Sequence, residues 1–61
     1  MQIKEILMTR DKMTEEDALQ LIQDAKTQLQ EYVANGYFGY AEDICQEYFG
    51  LEPDYIDELL F

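Results

Sequence analysis

The chain has 61 residues, 48% of them hydrophobic, and a formal net charge of −10, so it forms one domain at most and is too apolar for a disordered acidic tail. With one cysteine, Cys45, and no histidine, it lacks a disulfide staple, the donors of Cys/His zinc sites and the imidazole on which triad chemistry depends. The charge is segregated: residues 1–13 sum to +1 because Lys4, Arg10 and Lys12 outweigh Glu5 and Asp11, residues 14–36 sum to −4, and residues 37–61, with seven acids and no base, sum to −7.

Ile3, Ile6 and Leu7 recur at helical spacing and predict a short first helix over about 2–9. The clearest element follows over 14–35. Thr14 is suited to the N-cap, Glu15, Glu16 and Asp17 place negative charge on the first turn, and Met13 can staple onto Ala18. Ala18, Leu21, Ile22, Ala25, Leu29, Tyr32 and Val33 then fall on one stripe at three- and four-residue steps. Asn35-Gly36 ends the helix, since both residues tolerate the left-handed conformation. Asn-Gly also signals a β-hairpin, but the flanking periods here are helical.

The next helix is predicted over 38–49, with Phe38, Ala41, Ile44, Cys45, Tyr48 and Phe49 on its apolar face, Gly50 as its stop and Leu51 packing back in a Schellman cap. Pro53 opens a last helix over 53–60, with Tyr55, Ile56, Leu59 and Leu60 as its stripe. The two or three residues between the second and third helices force an antiparallel hairpin. The expected fold is therefore all-α, a small bundle of three to four helices built on that hairpin, with residues 1–61 forming a single domain without linker or low-complexity tract. Most of the eight aromatics are expected in its core, and Cys45 is read as a small buried hydrophobe.

Two resemblances follow from particular residues. Tyr32, Gly36, Phe38, Ala41, Cys45, Leu51 and Pro53 together resemble the helical hairpin of a tetratricopeptide repeat. Leu29 and Tyr48 stand where that repeat has small residues, and only one unit is present where stacking needs about three. The peptide groove of that family is therefore not carried over. The stretch Glu47-Tyr48-Phe49-Gly50-Leu51-Glu52-Pro53-Asp54-Tyr55, with Ile3-Lys4-Glu5-Ile6-Leu7-Met8 and Met13-Thr14-Glu15-Glu16, resembles small acidic proteins of bacterial phages and other mobile elements. That resemblance implies a bacterial, intracellular accessory protein.

A negative field repels phosphate backbones and anionic headgroups, so direct nucleic-acid or membrane binding is not expected and a basic protein partner is. The apolar run Ile6-Leu7-Met8 is far short of a signal-peptide core or a membrane span, and a cytoplasmic location is expected. Glu52, Asp54, Asp57 and Glu58 are rich in hard-cation oxygens but lack EF-hand spacing and a loop glycine, so they read as a solvated helix face. No cofactor or metal is expected. Asp43 and Glu47 are a like-charge helical pair, a self-repulsion that solubility alone does not require.

Tyr40 and Leu19 lie off their helices' stripes and are expected to be exposed. Leu19, Tyr40, Glu42, Asp43, Glu47, Asp54, Asp57 and Glu58 are thus the candidate interaction residues. The expected function is a non-enzymatic protein-interaction module of a mobile element or accessory gene set, as a monomer or a homodimer. The alternative is an acidic inhibitor that mimics nucleic acid on the basic site of a DNA- or RNA-binding protein.

Overall fold

A computed structural model describes residues 2–60. The chain is all-α, with 80% of the described residues helical and no strand among them. Helix α1 spans Ile3–Arg10, α2 Glu15–Ala34, α3 Phe38–Glu42, α4 Ile44–Phe49 and α5 Ile56–Leu60, the last preceded by a 3-10 turn at Pro53–Tyr55. A helix of 20 residues is about 30 Å long, close to the 34 Å length of the molecule. Helix α2 is accordingly the spine, and α1, α3, α4 and α5 all pack against it.

Local chemistry sets the boundaries. Thr14 caps α2, its Oγ1 accepting from the Asp17 N–H at 3.2 Å. At the other end Gly36 alone takes the left-handed conformation (φ +78°), while Asn35 stays at φ −97°. The Tyr37 N–H donates to the Tyr32 carbonyl at 2.8 Å and the Gly36 N–H to the Val33 carbonyl at 3.2 Å, the paired bonds of a Schellman motif. Gly50 (φ +65°) ends α4 differently. Its N–H donates to the Gln46 carbonyl at 3.0 Å and the Leu51 N–H wraps back to the Cys45 carbonyl at 3.2 Å, one residue wider than the Schellman pair expected there. Leu51 does fold back onto the core.

The predicted helix over 38–49 is divided at Asp43. The Asp43 N–H reaches the Tyr40 carbonyl at 3.2 Å, a 3-10 bond, and Asp43 sits at ψ 0°. Asp is a poor helix former and Gly39 weakens the preceding turn, so five residues of helix end there. The bend breaks the helical register. Ala41 meets the core, whereas Phe38, expected on the apolar face, is 62% exposed.

A single core gathers Ile3 and Leu7 of α1, Ala18, Ala25 and Leu29 of α2, Ala41 of α3, Ile44, Cys45 and Phe49 of α4, and Leu59 of α5. Tyr32, Tyr48 and Tyr55 pack on its edge, and Tyr37, Phe38 and Tyr40 lie outside it. The expectation that most aromatics are core thus fails for Tyr37 and Phe38, Tyr40 is exposed as expected, and Phe61 lies outside the described residues. Val33, expected on the buried stripe, is 46% exposed. A groove of about 280 Å³ lies between Leu29, Val33, Ala34, Leu59 and Leu60.

Polar contacts tie both ends of α1 to the C-terminal half. Gln2 offers no side-chain cap, and the Ile3 N–H donates instead to Glu58 Oε1 at 3.0 Å. At the far end the Arg10 guanidinium grips the Asp11 carboxylate at 2.9 and 2.8 Å and also donates to the Phe49 carbonyl at the end of α4. The hydrogen bond from Arg10 holds the Asp11 carboxyl below the usual carboxylate range. The Lys4–Glu15 pair, 3.9 Å apart and solvent-exposed, contributes little. No described helix is long and apolar enough to cross a membrane.

Candidate interaction site

The bend at Asp43 organises most of the candidate residues. On one side of Asp43, an open groove of about 250 Å³ is walled by Tyr40, Asp43, Gln46 and Glu47. On the other, a groove of about 440 Å³ runs between Glu42, Asp43, Pro53, Asp54, Ile56 and Asp57. Tyr40, Glu42, Asp43, Glu47, Asp54 and Asp57 are all exposed. Six of the eight candidates therefore form one continuous acidic face, with Asp43 shared between its halves.

Tyr40 is 61% exposed, yet its ring packs against neighbours. Its centroid lies 5.6 Å from Tyr32, tilted by 32°, and 5.9 Å from Tyr37, the two planes crossing at 80° in a T-shaped pair. Both distances fall within the favourable range for aromatic pairs. Tyr32 is the inner member of this trio. Desolvation, then the nearby Glu47 carboxylate, pushes its phenol up from its ordinary range.

Leu19 and Glu58 lie elsewhere. Leu19 is 48% exposed and joins Ile3, Lys4, Ile22, Glu58 and Leu59 around a separate groove of about 390 Å³. Glu58 departs from the expected solvated face: it is half-buried and accepts the α1 N–H described above. A carboxylate at a helix N-terminus meets unpaired N–H groups and the positive end of the dipole, which makes its role here structural.

Sequence reasoning missed Tyr37 and Phe38 as surface residues. Cys45 is fully buried, and burial first, then the Glu58 charge, pushes its thiol up, so the nucleophilic thiolate is disfavoured. Among the described residues no three His, Cys, Asp or Glu side chains are grouped so as to hold a metal ion. What the arrangement offers is an exposed negative surface beside an exposed aromatic ring.

No protein-family model, no curated protein and no solved structure matches the chain.

Proposed function

We propose that the protein is a non-enzymatic interaction module whose acidic face, from Tyr40 to Asp57, binds a basic protein. The observation that carries this reading is the convergence of five carboxylates and an exposed tyrosine on two adjoining grooves in the half of the chain without a base. A field of one sign speeds encounter with an oppositely charged partner, and exposed tyrosines supply contact area at little entropic cost. Self-association is the weaker reading, because it sets two chains of −10 against each other. The resemblance to small acidic proteins of mobile elements supports an accessory role inside a bacterial cell.

The test is retention of proteins from a host lysate on immobilised wild type and on a variant carrying Glu42→Gln, Asp43→Asn, Asp54→Asn and Asp57→Asn. The expected partner is retained by wild type at low salt, released as salt rises and not retained by the variant. Identical retention by both sinks the proposal. The charge segregation also favours a second, narrower form of it, in which the partner's basic surface is its nucleic-acid site. In that case duplex DNA displaces the partner from the wild-type protein, and failure to displace it removes the mimicry.

A further inference from the structure

We propose that the groove beside Tyr40 takes an arginine side chain in preference to lysine, so that the partner docks through an arginine-bearing segment. This rests on the reading that the face binds a basic protein, and it goes further by naming the side chain that is recognised. The first observation is the ring itself. Tyr40 is 61% exposed and still packs against two neighbours, Tyr32 at 5.6 Å and Tyr37, in a T-shaped pair, at 5.9 Å. A ring packed in this way keeps part of its surface toward solvent.

The second observation is what surrounds the ring. Asp43 and Glu47 are four residues apart and share a side of α4, whose first turn is joined by the Glu47 N–H to Asp43 carbonyl bond at 3.0 Å. Tyr40 is linked to the same turn by the Asp43 N–H to its own carbonyl. Ring, carboxylates and the Gln46 amide thus wall one groove of about 250 Å³, room enough for a guanidinium and its stem.

Charge complementarity selects the occupant. A guanidinium is planar and weakly hydrated, stacks on an aromatic face and forks onto a carboxylate with parallel N–H donors. An ammonium is a compact, strongly hydrated charge that gains less from the ring. Nothing in the protein fills this role for itself. Its one arginine, Arg10, is engaged by Asp11 and the Phe49 carbonyl, and residues 37–61 hold no base. A second copy of the chain would bring the same engaged arginine and is a poor occupant.

Labelled octa-arginine and octa-lysine, equal in length and charge, test the proposal by titration into wild type, Tyr40→Leu and Tyr40→Phe at low salt. Wild type is expected to favour octa-arginine by roughly two- to fivefold, the worth of one exposed cation–π contact. Tyr40→Phe should keep that preference and Tyr40→Leu should reduce it to what the carboxylate fork alone supplies, while still binding both peptides, since the carboxylates are untouched. Circular dichroism checks that the leucine variant stays helical; the phenylalanine variant carries the test if it does not, because loss of the preference there overturns recognition by the ring face. Equal affinity of wild type for the two peptides, or a preference that Tyr40→Leu leaves undiminished, overturns the arginine assignment and leaves the acidic face standing. Failure of both peptides to bind overturns the assignment and the underlying reading together.

Discussion

Lys12 sits at φ +56°, in the left-handed region, where it ends α1 and turns the chain toward Thr14. A side chain with a Cβ is strained there by about 1 kcal/mol or more, and glycine is not. Lys12→Gly should therefore stabilise the protein by up to about 1 kcal/mol, less whatever the glycine adds to the freedom of the unfolded chain; a urea midpoint that drops instead would show that the lysine side chain, not its backbone, matters. Cys45 makes a second residue-scale prediction, in pH. Its folded thiol is raised by burial and by Glu58, so the neutral form is favoured in the folded state. The stability this represents is fully present below the ordinary thiol range and is lost as pH climbs above about 8.5 toward the raised folded value. Melting temperature should fall over that alkaline window in wild type and fall less in Cys45→Ala. Parallel slopes in the two proteins would assign the effect elsewhere.

At the scale of elements, α1 is the segment whose placement depends most on contacts remote in sequence. Ile3 and Leu7 seat it in the core, while Glu58 closes its N-terminus across 55 residues and Arg10 reaches across 39 to α4. Removing the remote cap with Glu58→Ala should cost about 1 kcal/mol, the usual worth of an N-cap, and Glu58→Gln should cost less because an acceptor oxygen remains. Hydrogen exchange at the Ile3 amide should quicken in the alanine variant before exchange in α2 does; unchanged protection at Ile3 would contradict the cap. This contact also marks where the sequence stopped being legible. Thr14, Gly36, Gly50 and Pro53 announce their boundaries because each acts through its own backbone or its nearest turn. The Glu58 cap depends on a residue 55 positions away, and the exposure of Phe38 and Val33 on how the helices pack, neither of which a local pattern encodes; the break at Asp43 had a local signal in Gly39 and Asp43 that the helical period of the stripe outweighed. The site was legible in the same partial way. Tyr40 and the carboxylates around Asp43 were readable as off-stripe or charged, but their meeting in adjoining grooves follows from the bend.

For the molecule as a whole, the dominant feature is unbalanced charge on a small body. Its extents are 34 × 19 × 18 Å, and the Debye length is about 30 Å at 0.01 M salt and about 3 Å at 1 M. In dilute buffer nearly every carboxylate therefore repels nearly every other, while at high salt only immediate neighbours interact. The two ion pairs among the described residues, Lys4–Glu15 and Arg10–Asp11, are exposed and too few to reverse that balance. A domain of this length has a total stability of roughly 3–9 kcal/mol, so a repulsion of even one or two kcal/mol is a large share of it. Sodium chloride should raise the melting temperature steeply at first and then level off as the screening length falls below the spacing of the acids. The Glu42→Gln, Asp43→Asn, Asp54→Asn, Asp57→Asn variant should start higher and respond less, because the charge removed is the charge that salt would screen. If the two curves run parallel, these four carboxylates are not a source of the strain, and the acidic face costs the fold nothing that a partner could relieve.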